Sequence, residues 1–385
     1  MESARLSSVS RRSALRGLAA APALAASGQV VTIPGKRPML VYNDFPEDLE
    51  TPAEHFKSWL TPNDVFFVRQ HLPRPRVDKD SFQVTISGRA GNRKPLTLAD
   101  LARLPQATVA ATLECTGNAR GFFRPRVPGI QWGRGAIGNA EWTGPRLSHV
   151  LKLIQADESA AYITTNGADS GLAKTPDFIR SLPMRKAVHP ATLLALKMNG
   201  EPLPELHGFP LRLIVPGWDG TSWVKWVTSI SVDTEPNRGF FMNPAYRFPK
   251  HPLAPGTPVD PADLEVIEGM PVKSFITEPA DSQKVPGSGL AVRGVAWAGE
   301  NRISRVEIST DGGQRWHDAQ LSAKDLPFAW RLWQFDWKPA SHGFYNLLSR
   351  ATDSAGRVQP VVATWNPSGY LYNAIDHVGI TVERA

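Results

Sequence analysis

The sequence predicts an α+β protein with two folded parts: a mixed α/β domain followed by an immunoglobulin-like antiparallel β-sandwich. The chain has 385 residues, which is more than one hydrophobic core normally serves. Its 34 prolines and 31 glycines are well spread and favour turns and short strands over long helices. Near residue 250 the pattern changes to short alternating strands at regular spacing. We expect a leader at residues 1–25, the mixed domain at 26–250 and the sandwich at 251–385.

The mixed domain is predicted to start with an irregular, proline-containing arm at residues 26–60. The stretch SFQVTISGRA alternates apolar and polar residues and predicts a strand. In LTLADLARLP the leucines have helical spacing, with Thr97 before them and Asp100 three residues later, which predicts a short capped helix. ATVAATLEC predicts a strand that delivers Cys115 to a glycine-bearing turn. Later stretches predict an amphipathic helix (RLSHVLKLI), a strand entering a loop (AYITTNGADSG), a strand or helix ending at Asn199-Gly200 (ATLLALKMNGEPL), and buried strands (PLRLIVPG, VKWVTSISV).

The second domain is predicted to follow a linker, because FFMNPAYRFPKHPLAPGTPVDPAD is dense in proline. Beyond it, period-two alternation and the turns DGG and DSAG are typical of an antiparallel sandwich. The strands are predicted in KSFITEP, LAVRGVAWAG, SRVEISTDGGQRW, FAWRLWQFDW, FYNLLSRATDSAG and GITVERA.

The first 25 residues resemble a bacterial twin-arginine (Tat) export signal. Arg11 and Arg12 precede a mildly apolar run, GLAAAPALAAS, which contains Ala23-Leu24-Ala25 as a small-residue cleavage site. The alternative is a disordered basic tail. Nowhere does the sequence offer ~20 consecutive apolar residues, so we expect no membrane span. The signal predicts a periplasmic protein exported already folded, and Tat substrates often acquire a cofactor before export.

The formal charge of the whole chain is +7. Residues 1–25 carry four arginines and one glutamate, so the chain after them carries about +4. No Lys/Arg run of the nucleic-acid-binding type occurs, and basic residues are scattered or stand singly in apolar segments. This balance fits a small anionic substrate or an acidic protein partner better than DNA.

Cys115 is the only cysteine, and it lies in TLECTGNARGFF at residues 112–123. A lone cysteine is usually a small buried apolar residue, but an idle exposed thiol is a liability in an oxidising compartment. Arg120 nearby would favour the thiolate. The sequence around Cys115 shows no local signature of a cysteine protease. The zinc-binding spacings His-x-x-x-His and Cys-x-x-Cys do not occur. One thiolate suffices where a metal takes its other ligands from a cofactor.

The segment around Cys115 resembles the cysteine motif E/Q-C-A/S-G-N-x-R of the sulfite oxidase family of molybdenum enzymes. Four more stretches match in the same order: FFVRQHLPRP, GIQWGRGAIGNAEWTG, LALKMNGEPLPELHGFPLRLIVPG and VKW. TDSAGRVQPVVATWNPSGY resembles the end of the family's dimerisation domain. The resemblance covers nearly all of the chain after the leader and implies a molybdopterin-binding catalytic domain at residues 26–250 and a dimerisation domain at 251–385.

The resemblance also implies roles for individual residues. Cys115 would bind molybdenum beside the dithiolene sulfurs of one molybdopterin. The residues that match the family's cofactor-binding positions, with Cys115, are Phe67, Arg69, His71, Asp169, His207, Arg212, Trp223 and Lys225. The substrate would meet Arg69, Arg120 and Trp132, with Arg331 in FAWRLWQ as a further candidate. The competing interpretation is that the histidines are core residues, that the aspartate is a turn residue and that the single cations are surface charges.

One position departs from the family pattern. Vertebrate and plant members place a tyrosine before S-I-P, and the matching stretch here, TPDFIRSLP, has Phe178. The tyrosine hydroxyl is therefore absent or supplied from elsewhere.

The resemblance implies oxidation of sulfite to sulfate, with Arg69 and Arg120 holding the anion. The sequence contains no Cys-x-x-Cys-His and no recognisable haem or flavin domain, so we expect electrons to pass to a separate periplasmic c-type cytochrome. A homodimer is expected by analogy. Two alternatives remain: a molybdenum oxotransferase that reduces a sulfoxide or nitrate, and a metal-free secreted binding protein built on the sandwich.

Overall fold

The computed structural model describes residues 32–172 and 174–384. The predicted leader at residues 1–25 lies outside this part of the chain. The described part is mostly β-strand, with three short α-helices: α1 Leu98–Arg103, α2 Leu147–Leu153 and α3 Met184–Ala187. The α+β expectation therefore overestimates the helical share. Among the described residues, no helix is both long and apolar enough to cross a membrane.

In residues 32–266, which form the first part of the described chain, the strands are arranged in five sheets. In chain order they are β1 Leu40–Asp44, β2 Glu47–Glu50, β3 Val68–Arg69, β4 Gln83–Gly88, β5 Leu96–Thr97, β6 Gln106–Glu114, β7 Ile137–Pro145, β8 Tyr162–Gly167, β9 Arg180–Pro183, β10 Leu193–Ala195, β11 Lys197–Met198, β12 Glu201–Pro202, β13 Arg212–Ile214, β14 Val227–Asp233, β15 Arg247–Pro249 and β16 Leu264–Val266. The two largest sheets have the orders β12-β11-β7-β6 and β5-β4-β14-β8-β9.

Local sequence patterns explain much of this domain. Thr97 and Asp100 form the predicted capping box: the Asp100 backbone N–H donates to Thr97 Oγ1 at 3.2 Å, and the Thr97 N–H donates to Asp100 Oδ2 at 2.9 Å. The alternating residues of β4 bury Val84 and Ile86 against Ile230 of β14 in the main hydrophobic core. The segment at 193–202, for which a strand or a helix was expected, forms strands β10 to β12.

The segment predicted to be an irregular arm contains two strands. β1 and β2 pair with each other, and β2 also pairs with β3, so that Asp48 lies opposite Arg69. The β2–β3 pairing joins residues about 20 positions apart and leaves little local signal, whereas β1 and β2 form a local hairpin within the stretch that was interpreted as irregular. The expectation of irregular structure at residues 40–50 was wrong.

The second part consists of two mainly antiparallel sheets. Its strands are β17 Lys273–Glu278, β18 Lys284–Val285, β19 Leu290–Trp297, β20 Ile303–Ser309, β21 His317–Asp318, β22 Gln320–Leu321, β23 Arg331–Trp337, β24 Gly343–Asp353 and β25 Asp376–Val382. The sheet orders are β17-β19-β23-β22 and β18-β25-β24-β20-β21. Val292, Ile308 and Ile380 belong to one buried apolar cluster to which both sheets contribute. All six stretches predicted as strands contain strands, and one pair, β18 with β25, is parallel.

The two parts are packed directly on each other. Phe56 and Ile137 of the first part share a buried apolar cluster with Phe275, Trp297 and Trp330 of the second. This contact brings the second part close to the carboxyl end of β6, where Cys115 lies.

Candidate functional site

A pocket beside Cys115 collects most of the residues singled out from the sequence. About 690 Å³ of space, including the opening to solvent, is left unfilled by atoms. The predicted site residues that line it are Phe67, Arg69, His71, Cys115, Asp169, Phe178, His207, Arg212, Trp223 and Lys225.

The cysteine turn begins directly after β6 and is held by its own backbone. The Cys115 N–H donates to Ala136 O at 2.9 Å, and the Asn118 N–H donates to Cys115 O at 2.8 Å. A Cβ at Gly117 would lie 2.5 Å from Arg120 Nη2, so a larger residue there would displace the Arg120 guanidinium. Burial raises the pKa of the Cys115 thiol, while the guanidiniums of Arg69 and Arg120 act in the opposite direction. A further cation at the thiol would favour the thiolate.

Arg69 is positioned by strand pairing. It lies opposite Asp48 in the β2–β3 ladder, and its Nη1 atom is 3.1 Å from Asp48 Oδ1. Burial raises the pKa of Asp48 to about 6, although Arg69 opposes the shift. Burial acts to lower the pKa of Arg69, but Asp48, Tyr246 and Cys115 together raise it above its ordinary value, so the guanidinium remains charged. Asp48 thus holds a cation at the edge of the pocket without filling it.

An aromatic and imidazole cluster forms another wall. The ring of Phe178 stacks on His71 with centroids 4.7 Å apart, and Tyr246 hydrogen-bonds His71 Nε2 through its hydroxyl. Burial holds the pKa of His71 well below its usual range, with Arg69 and other nearby cations acting in the same direction. The imidazole is therefore neutral at pH 7. The pocket thus presents a tyrosine hydroxyl, but from Tyr246 rather than from position 178.

Arg212, which is buried, and Lys225, which is half-buried, line another part of the pocket. Lys225 Nζ donates to Arg69 O at 3.3 Å and to Leu206 O at 3.4 Å, and burial lowers the pKa of Lys225 to about 7. Burial likewise lowers the pKa of Arg212 to about 9. Lys36 lies 2.7 Å from His207 Nε2, and its pKa is lowered to about 7, again mainly by burial.

Several buried polar atoms in this pocket are unsatisfied. Among the residues that the structure describes, Arg212 Nε and both side-chain polar atoms of Gln70 have no hydrogen-bond partner. Nor does any carboxylate in that part of the chain lie within 4.0 Å of Lys225 Nζ or the Arg212 guanidinium. Buried cations and amides without partners are costly, because desolvation is not repaid. The arrangement is therefore suited to a polar, negatively charged ligand.

Comparison with known proteins identifies the family. Residues 71–241 match the model of the oxidoreductase molybdopterin-binding domain, and residues 264–383 match that of the Mo-co oxidoreductase dimerisation domain. Mitochondrial sulfite oxidase of Rattus norvegicus is 35% identical over 381 residues, covering 94% of this chain and 69% of that protein. The chain belongs to the sulfite oxidase family of molybdenum oxidoreductases. Sulfite oxidase of Arabidopsis thaliana is 34% identical over 367 residues, covering 88% of this chain and 93% of that protein. The sulfane dehydrogenase SoxCD structure from Paracoccus pantotrophus aligns with a TM-score of 0.76 and 28% identity, covering 94% and 95% of the two chains.

The pocket residues fit the molybdenum–molybdopterin group of the sulfite oxidase family. Molybdopterin carries a phosphate, and in the described part of the chain neither Arg212 nor Lys225 has a carboxylate within 4.0 Å, so both cations are available to an anion. Gln70 provides the unsatisfied amide that a polar ring requires. Within the described ranges, no group of three or more His, Cys, Asp or Glu side chains is arranged to hold a metal ion. A single soft thiolate, Cys115, suits a metal whose remaining ligands come from the cofactor.

Three predicted site residues do not line the pocket. Arg120 lies behind the cysteine turn, where Nε donates to Ser368 O at 3.0 Å and Nη1 to Ile130 O at 3.1 Å. Trp132 is fully buried and meets the ring of Tyr42 edge-on at 5.0 Å. Arg331 lies in β23, and its guanidinium donates to Ser322 O and Ile303 O. Backbone carbonyls within the second part thus hold Arg331 away from this pocket, and its role as a substrate residue stays a prediction.

Sequence reasoning missed three residues of this region. Tyr246 lies in the stretch that we assigned to a linker because of its prolines, although FFMNPAYRF is rich in aromatic residues. Gln70 also lines the pocket, and apart from its neighbours Arg69 and His71 nothing in the sequence indicated a role for it. Lys36 reaches the site from residues before β1, where no motif marked it.

Proposed function

We propose that this protein is a sulfite dehydrogenase. It converts sulfite and water to sulfate with release of two protons and two electrons, and the electrons pass to a separate c-type cytochrome. The observation that carries the proposal is the juxtaposition of Cys115 and Arg69 with the cations Arg212 and Lys225 in one pocket. Relatives over nearly the whole chain are sulfite oxidases, which supports sulfite as the substrate.

The chain's own residues have three tasks in this reaction. The bound molybdenum–molybdopterin supplies the two-electron chemistry at sulfur. Cys115 holds the metal, and Arg212 and Lys225 neutralise the anionic end of the cofactor. Asp48 orients Arg69 at the pocket edge, where the guanidinium attracts the sulfite anion and fixes its oxygens.

Proton handling falls to the pair of His71 and Tyr246. Because His71 is neutral, the pair adds no charge and can relay a proton through the hydroxyl and the ring nitrogen. Phe67, Phe178 and Trp223 cover the remaining walls with apolar surface, which excludes water and strengthens the electrostatic contacts inside.

A direct test uses protein purified after native export. We expect stoichiometric molybdenum and molybdopterin, and sulfite-dependent reduction of cytochrome c and ferricyanide. Folded protein that lacks both would refute the proposal and favour the secreted binding protein. Turnover only with a reduced dye and a sulfoxide or nitrate would favour the oxotransferase.

Sulfane sulfur is a second candidate substrate. The structurally similar SoxCD chain belongs to a sulfane dehydrogenase, and it aligns over nearly all of both chains. The same acceptor assay with a protein-bound persulfide in place of sulfite separates the two candidates. If kcat/KM is higher for the persulfide than for sulfite, sulfane sulfur replaces sulfite as the proposed substrate.

The proposal also includes the export route, the electron acceptor and the oligomeric state of the protein. Residues 1–25 would direct the folded protein to the periplasm through the Tat route, and the dimerisation domain at 264–383 would form a homodimer. Cell fractionation of wild type against a variant with Arg11 and Arg12 both changed to Lys tests the route. Retention of the double variant in the cytoplasm is the expected result, and sedimentation of a two-chain species tests the dimer.

A further inference from the structure

A buried carboxylate lies directly beside the cysteine. Glu114 is the last residue of β6, precedes Cys115 and is 5% exposed. Its Oε1 atom accepts hydrogen bonds from Lys273 Nζ and Asn118 Nδ2, both at 3.0 Å. Its Oε2 atom accepts from Trp297 Nε1 at 2.8 Å. Both carboxylate oxygens are therefore used, and two of the three donors come from the second part of the chain.

Lys273 and Trp297 approach Glu114 as one unit. Lys273 begins β17, Trp297 ends β19, and the two residues are paired across the ladder between these strands. Both are almost completely buried, at 4% and 1% exposure. The Lys273 ammonium also lies 5.6 Å from the centre of the Trp297 ring. Movement of either donor would disturb the other.

The third donor connects this network to the cysteine backbone. Asn118 gives its side-chain N–H to Glu114, accepts the Ala136 N–H at Oδ1 (3.1 Å), and donates its backbone N–H to Cys115 O. Ala136 O in turn accepts the Cys115 N–H. The peptide groups on both sides of Cys115 are thus tied, through Asn118 and Ala136, to the carboxylate that Lys273 and Trp297 hold.

Other contacts from the second part reach the same turn. The Thr112 N–H donates to Phe328 O at 2.9 Å, and the Trp330 N–H donates to Thr112 Oγ1 at 2.8 Å. On the far side of Cys115, the Leu371 N–H donates to Thr116 O at 2.9 Å. The chain from Thr112 to Asn118 is therefore held from the second part both before and after the thiol.

From these contacts we infer that Lys273 and Trp297 are positioning residues for the Cys115 thiol. The domain that matches a dimerisation model thus also holds the turn that carries the thiol. A buried ion pair adds little net stability compared with apolar side chains, so its presence next to the thiol is better explained by positioning. This inference rests on the proposed role of Cys115 as the molybdenum ligand.

The test uses full-length protein with three single substitutions. Lys273→Met removes the ammonium and keeps most of the volume, whereas Trp297→Phe removes the indole N–H and keeps an aromatic ring. Lys284→Met is the matched control, because Lys284 belongs to an exposed ion pair of the same domain. Two quantities are measured: the electron paramagnetic resonance spectrum of the partly reduced molybdenum, and the rate at which iodoacetamide alkylates Cys115 in cofactor-free protein.

We expect Lys273→Met to change the molybdenum g-values and to alter the alkylation rate by about tenfold. The loss of one hydrogen bond to a charged group shifts a local opening equilibrium by about that factor or more. Trp297→Phe should change both quantities less, and Lys284→Met neither. Rescue of the wild-type spectrum by Lys273→Arg would support the role of the cation.

A purely structural role gives a different result. Lys273→Met would then lower the melting temperature but leave the g-values and the alkylation rate unchanged, which overturns the inference. If Lys273→Met does not fold, Trp297→Phe decides by the same two readouts. The alkylation comparison needs no metal. If the wild-type protein binds no molybdenum, the proposed function therefore fails while this comparison still shows whether Lys273 and Trp297 position the thiol.

Discussion

The substitution Lys225→Met should change how the stability of the cofactor-free protein depends on pH. Burial lowers the pKa of Lys225 from 10.5 to about 7. Arg212 and Arg69 act in the same direction, while Asp169 and Glu47 oppose the shift. Methionine has a similar volume and no charge, so the substitution removes the titration without leaving a large cavity.

The sign follows from proton binding. Between pH 7 and 10.5 the unfolded chain holds a proton on Lys225 that the folded protein has partly or wholly lost. The free energy of unfolding therefore rises with pH across this window, and this gain in stability is lost as the pH falls toward 7. With these two pKa values, the gain from pH 7 to pH 9 is about 2 kcal/mol for one lysine. The bound cofactor phosphate would favour the charged ammonium and reduce the gain.

Urea denaturation of the cofactor-free protein at pH 7 and pH 9 measures this effect. The free energy of unfolding of wild type should rise by about 2 kcal/mol more than that of Lys225→Met. Lys284→Met, in an exposed ion pair, serves as the control and should follow wild type. Equal pH dependence in wild type and Lys225→Met would show that Lys225 keeps its ordinary pKa, and the electrostatic account of the pocket would be refuted.

Four further substitutions test the site. Cys115→Ser should abolish sulfite oxidation while the circular dichroism spectrum stays that of wild type; retained molybdenum content and activity would contradict its role as a ligand. Arg69→Met should raise the KM for sulfite roughly 10- to 100-fold, from the loss of a charged contact, and an unchanged KM would exclude that contact. Tyr246→Phe should lower kcat at least roughly tenfold with little change in KM, as expected of a hydroxyl in proton transfer; steady-state kinetics that match wild type would remove it from the mechanism. Arg331→Gln should leave kcat/KM within about twofold of wild type, and a larger loss would restore the original interpretation of this residue.

Features with a local cause were predictable from the sequence. The helix that starts after Thr97 depends on a cap and three leucines, all within eight residues, and the structure has that helix and that cap. Strand β6 and the turn at Cys115 follow in the same way from alternation and glycine. The pocket residues were predicted only because motifs that are distant in the sequence resemble one family; no local pattern relates His71 to Lys225.

Features that depend on tertiary pairing were not predictable. The strand β2 pairs locally with β1, but nothing within residues 40–50 indicates that Asp48 and Leu49 also pair with Arg69 and Val68. Tyr246 was missed for a similar reason: the prolines around it suggest a linker, but His71 and Phe178 lie against it in the folded chain. Arg331 was a candidate only through the family resemblance, and no local pattern indicates that its guanidinium donates to two backbone carbonyls of the second part.

The electrostatics of the pocket connect cofactor loading to the proposed export route. Near neutral pH the cofactor-free pocket keeps Arg212 buried and Lys225 half-buried without a bound anion, which is unfavourable whether the lysine is charged or neutralised. An anionic cofactor that binds only the folded state relieves this cost and stabilises the fold by mass action. Since the Tat route carries folded proteins, loading before export would increase the fraction of chains that are competent for it. The same cations that make the empty pocket unstable would then favour export of the loaded protein.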